Sequence, residues 1–172
     1  DWSSDVCSSD LITDGMSNTI MLSERLIGDN DNNKNSLSDT IRGVARPSSF
    51  PYTFASLADI EGWGQAGTGG VPAGGSPPWN QNVNMRCGGS AWGNPLIRVA
   101  EISPPNWKYP DVQSHDCSRP GDHGIRTARS QHPGGVNAAM GDGSVRFCTD
   151  SIDLYTWQCM GARNDGQTVA GP

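Results

Sequence analysis

The segment Gly141-Asp142-Gly143-Ser144 constrains this chain more than any other, because it lies between two short apolar runs, Val136–Met140 and Val145–Cys148. Asp-Gly between alternating apolar residues is a hairpin signal, since a two-residue type I′ turn needs residues that tolerate positive φ. With Asp142-Gly143 as the loop, Met140 faces Val145, Ala138 faces Phe147 and Val136 faces Thr149. Those side chains share one face, and all but Thr149 are apolar or aromatic. The other face pairs Ala139 with Arg146 and Asn137 with Cys148. A slip of one residue would turn every side chain to the opposite side. The clean separation therefore predicts a core-facing Val136, Ala138, Met140, Val145 and Phe147. A helix is predicted next, with Asp153 as N-cap and Leu154, Trp157 and Gly161 at helical spacing beside Met160. Gly166 is its expected stop, and Trp157 is expected to seal the hairpin's apolar face.

Elsewhere the chain is poor in regular patterning. Apolar residues make up 34% of its 172 residues, against a usual share of about 45–50% that also counts Gly. With 22 glycines and 12 prolines, it should form a small core wrapped in long loops. Asp14-Gly15 signals a turn, and Thr19–Arg25 then reads as a strand. Ile41–Ala45 and the alternating Leu96–Ile102 read as further short strands. Residues 47–95 and 103–131 read as loop-rich excursions. The first carries Trp63, Trp79 and Trp92, too many large aromatics for a disordered linker. Tryptophans plugging the core under long loops are the reading favoured there over a sugar-stacking surface.

Charge and motifs exclude several function classes. The net charge is −6, and the 12 lysines and arginines form no basic stripe, which argues against a nucleic-acid partner and against a polybasic membrane contact. No run of 18 apolar residues occurs. Asp29, Asp31 and Asn33 open like a calcium loop, but Lys34 stands where Gly is needed and Thr40 where Glu is needed. His115, Asp116, Asp122 and His123 fit no standard metal-ligand spacing. Neither a G-x-S-x-G elbow nor an H-E-x-x-H helix is present. The expectation is no metal, no cofactor and no catalytic residue, hence not an enzyme.

Five cysteines occur: Cys7, Cys87, Cys117, Cys148 and Cys159. Residues 1–11, DWSSDVCSSDL, have no helical period, alternation or cap logic, and resemble translated sequencing-adapter read-through. They are set apart as a non-native segment, leaving 12–172 as the part that folds. Four cysteines then remain, which suits two disulfides in an oxidising compartment and allows three connectivities. Cys148 with Cys159 and Cys87 with Cys117 is the favoured pairing, each loop contributing roughly 3 kcal/mol. Four partly buried thiols are the alternative.

One resemblance is specific. His132, nine intervening residues and Asp142-Gly143 form an H-X9-DG motif, within His132-Pro133-Gly134-Gly135-Val136-Asn137 and Gly141-Asp142-Gly143-Ser144-Val145-Arg146-Phe147. Upstream, Ile12-Thr13-Asp14-Gly15, Ser17-Asn18-Thr19-Ile20 and Glu24 resemble the other signature of the same group. The chain from Ile12 to about Gly166 thus resembles the bacterial pseudopilin-like family known as domain of unknown function 1559. That resemblance implies an α+β, pilin-like globular head with a small antiparallel sheet. It also implies a prepilin-type leader and an N-terminal anchoring helix in the full-length protein, making this chain a C-terminal fragment. The expected location is extracytoplasmic, at the cell surface or in the periplasm, held at the inner membrane through that helix. The expected partners are other pilin-like subunits or secretion machinery, and the expected role is a non-catalytic structural subunit of a pilus-like or type II secretion-like assembly. An extracellular glycan- or calcium-binding module is the alternative, resting on tryptophans and acidic loops.

The motif residues His132, Gly134, Gly135, Asn137, Asp142, Gly143, Asp14, Gly15, Ser17, Asn18 and Glu24 are expected to be structural. Drawn as extended chain, His132 and Asp142 stand roughly 30 Å apart. His132 is therefore expected to fix the start of the hairpin through hydrogen bonds, while Asp142-Gly143 supplies its turn.

Overall fold

A computed structural model of the chain describes residues 11–26, 36–42, 44–51, 54–68, 79–81, 102–114 and 124–167, with the backbone alone at 42 and 79–81. The expectations for residues 1–10, the calcium-like Asp29–Asn33, His115–His123, Cys87, Cys117, Trp92, the side chain of Trp79 and nearly all of Leu96–Ile102 lie outside these residues. The fold is α+β, with two apolar cores, each under its own sheet and helix.

The first described segment makes a turn at Asp14–Asn18. Gly15 takes φ +93, and the Asn18 N–H closes the turn on its carbonyl at 2.9 Å. β1 (Ile20–Ser23) follows and pairs antiparallel with β6 (Gly135–Met140), which pairs antiparallel with β7 (Val145–Thr149). β6 is thus the central strand of a three-stranded sheet. Met21 is the extra residue of a bulge between Ile20, opposite Met140, and Leu22, opposite Ala139.

The hairpin forms, one register away from the expectation. Val136 faces Cys148, Ala138 faces Arg146 and Ala139 faces Val145. The loop holds three residues, because the Gly143 N–H donates to the Met140 carbonyl and the Met140 N–H to the Ser144 carbonyl, with Gly143 at φ +84. A type I turn closed by a left-handed glycine gives this three-residue loop, and it competes with the two-residue type I′ turn for the same Asp-Gly sequence. The extra residue rotates β7 relative to the sequence-derived pairing. Val136, Ala138, Met140 and Cys148 are buried, whereas Val145 and Phe147 face outward.

The helix that covers this sheet, labelled α2 here for Leu154–Gly161, begins as expected. Asp153 caps it by accepting the Thr156 N–H at 3.0 Å. It ends earlier than expected, at Ala162 in extended backbone, with Gly166 at φ +78 in the turn beyond. Trp157 and Met160 pack with Ile20, Ala128, Val136, Ala138, Met140 and Cys148 as one core. Cys148 and Cys159 are both buried as thiols, which departs from the expected disulfide between them. Cys148 is turned into the core layer, and burial raises the pKa of the Cys159 thiol.

The second sheet is mixed, in the order β3 (Trp79–Gln81), β2 (Thr40–Arg42), β4 (Asp111–Gln113) and β5 (Gly124–Ile125). β2 and β4 run parallel, and the other pairs are antiparallel. Residues 103–131, read from sequence as irregular, thus supply two strands. Residues 47–95, read as an excursion of loops, contain α1 (Leu57–Thr68). Ser56 and Asp59 form its capping box, each accepting the other's backbone N–H at 3.2 Å. Three glycines within α1 lower its intrinsic helix preference, so tertiary packing sustains it. A Cβ on Gly67 would stand 2.3 Å from Val112 Cγ1, so glycine permits the close approach of α1 to β4. Trp63 is buried in this core, where its ring stands edge-on to Phe50 at 4.9 Å and its indole N–H donates to the Val44 carbonyl. That side chain takes the core-plug role foreseen for it.

Candidate functional site

Three sequence-distant pieces meet at the carboxylate of Glu24. β1 delivers Glu24 one residue past its end, where the Glu24 N–H donates to the Asn137 carbonyl and the Glu24 carbonyl accepts the Arg129 N–H. The side chain then lies along β6. Oε2 accepts the Asn137 backbone N–H at 2.8 Å, and Oε1 accepts Asn137 Nδ2 at 3.0 Å. Nε2 of His132 stands 3.1 Å from the same Oε1. Glu24 is 32% exposed and His132 52%, so the group forms a surface clamp. The Asn137 backbone N–H, then its side-chain amide, and then His132 hold the Glu24 carboxyl below its ordinary pKa, against a smaller opposing effect of burial.

The turn before β6 is held from below. The His132 N–H donates to Ser130 Oγ at 3.0 Å, and that hydroxyl donates to the Gly135 carbonyl at 2.7 Å. Gly134 has φ +80, and its carbonyl accepts the Asp150 N–H. A Cβ on Gly135 would stand 2.3 Å from the Cys148 carbonyl oxygen, so β7 crosses too closely for any side chain there. Asn106, itself at φ +50, accepts the Ser130 N–H and donates to Asp150 and to the Gly135 carbonyl.

At the far end of β6, Asp142 is occupied separately. Its Oδ1 accepts the Ser144 N–H at 2.9 Å and the Ser144 hydroxyl at 2.6 Å, and these bonds lower its pKa. The six-residue strand β6, about 17 Å long from first to last Cα, separates this turn from His132. The two halves of H-X9-DG therefore serve opposite ends of one strand.

The upstream signature makes a second fastening. Asp14, 2% exposed, accepts the N–H groups of Asp165 at 2.8 Å and Gly166 at 2.9 Å. Burial raises its pKa, but these backbone bonds, with one from the Thr13 hydroxyl, outweigh it and hold the carboxyl below its ordinary value. Asn18 Nδ2 donates to the Asp14 carbonyl, Gly15 provides the turn, and Ser17 is exposed beside it. The tip of the hairpin closes on the same turn through the Gly141 N–H to the Thr19 carbonyl and the Asp142 N–H to the Met16 carbonyl.

The His132 ring is spent on a carboxylate, and the Ser130 proton on a backbone carbonyl. This arrangement fastens chain segments. Among the described residues, no group of three or more His, Cys, Asp or Glu side chains is placed to hold a metal ion, and no helix is long and apolar enough to cross a membrane.

Residues 7–155 match the family described as a protein of unknown function, DUF1559. The chain belongs to this family. No curated protein and no solved structure matches it. On this DUF1559 chain the two sequence signatures meet, since Glu24 of the first binds His132 and Asn137 of the second.

Sequence reasoning missed a buried ionic group behind the clamp. Asp111 accepts the Thr127 N–H and lies 3.2 Å from Arg25 and 3.5 Å from Arg129, which also donates to the Trp107 and Tyr109 carbonyls. Arg25 and Arg129 each sit next to a clamp partner, Glu24 and Ser130. Charged residues flanking a motif were the available signal, but nothing in the sequence tells a buried arginine from a solvated one.

Proposed function

We propose that this DUF1559 chain is a non-catalytic structural subunit of a pilus-like or type II secretion-like surface assembly, displayed outside the cytoplasm among other pilin-like subunits. The observation that carries the non-catalytic part is the Glu24 clamp. Both of its oxygens are taken up by Asn137 and His132, so Glu24 and His132 are committed to holding β1 against β6. The likeness of His132 to Gly143 and of Asp14 to Glu24 to the pseudopilin-like pattern supports the assembly part. The buried Trp63, Trp107 and Trp157 favour this reading over a sugar-stacking surface at those positions.

The test uses the native gene in its own bacterium, carrying a C-terminal epitope tag. The tagged protein is expected in the membrane and shearable surface fractions, protease-accessible on intact cells or spheroplasts, and cross-linkable into ladders with itself or related subunits. Recovery in the cytosol as a species that never cross-links would sink the assembly reading. A substrate turnover abolished by His132→Ala at unchanged melting temperature would sink the non-catalytic one.

A further inference from the structure

No further inference is drawn: the strongest candidate, the exposed apolar outer face of the β1–β6–β7 sheet around Leu22, Val145 and Phe147, carries nothing because nothing in the structure shows what covers it.

Discussion

Glu24 and His132 touch each other, yet their removal should cost different amounts. Glu24→Ala leaves the Asn137 backbone N–H and side-chain amide without their acceptor, and an unsatisfied partly buried donor costs about 1–3 kcal/mol. His132→Ala removes one contact at an exposed ring, worth no more than about 1 kcal/mol. Urea denaturation of the two variants should therefore rank Glu24→Ala as the more damaging, and the reverse order would show that the imidazole, not the amide pair, is the main fastening. The pH dependence follows from the same bonds. The carboxyls of Glu24 and Asp14 titrate lower in the folded chain than in the unfolded one. Their contribution is thus complete above their unfolded values and is lost as pH falls through the folded ones. Stability should hold steady from neutrality down to about pH 5 and fall below about pH 4. In Glu24→Gln that acid slope should be shallower, and an identical slope would count against a depressed Glu24. The sequence named Glu24, His132 and Asn137 separately as motif residues. Their meeting was not legible, because it depends on a pairing between residues more than a hundred positions apart.

Among the elements, the hairpin shows how far patterning reaches. Its strands, its turn glycine and the helix cap at Asp153 all follow from local chemistry. The register does not, because one Asp-Gly sequence serves both a two-residue and a three-residue loop. The apolar-face test was satisfied by the wrong pairing since Val145 and Phe147 are apolar but exposed. Cys148, counted with the polar set, took the core position instead. α1 was missed for a related reason: part of its buried stripe consists of Gly64 and Gly67, which read as loop residues while serving as contact surface. Two substitutions in α1 separate propensity from packing. A Cβ on Gly62 meets nothing within 4 Å, so Gly62→Ala should stabilise by about 0.5–1 kcal/mol through helix preference. Gly67→Ala gains the same preference but drives a methyl into Val112, so it should destabilise by about 1–3 kcal/mol. Chemical denaturation of both variants checks the pair. Two changes of the same sign would mean that α1 does not lie against β4 as described.

For the whole molecule, chain order and core membership cross. One core draws on Ile41–Trp63 and Trp107–Ile125, the middle of the sequence, while the other joins Ile20 to Ala128–Met160. The middle is thus an insertion between β1 and the hairpin, and composition alone could not reveal this, since both parts are rich in loops. Gln158 is a direct bridge. From α2, its Nε2 donates to the Ala55 carbonyl at 3.0 Å, just before α1, and to the Ile102 carbonyl at 2.7 Å, on a residue packed against the core that holds Trp63. A largely buried amide answering two carbonyls couples the halves, because the Ala55 carbonyl is buried with it. Gln158→Leu keeps similar bulk and removes both bonds, so it should lower global stability by about 1–3 kcal/mol. It should also loosen the coupling. In the unmodified protein, native-state hydrogen exchange should give the slowest amides of Ile60–Gly64 and of Val136–Met140 one common opening free energy, as in a single cooperative unit. In Gln158→Leu the two sets should separate. Two distinct opening energies already present before the substitution would mean that the cores fold independently and that this bridge joins them without making them one.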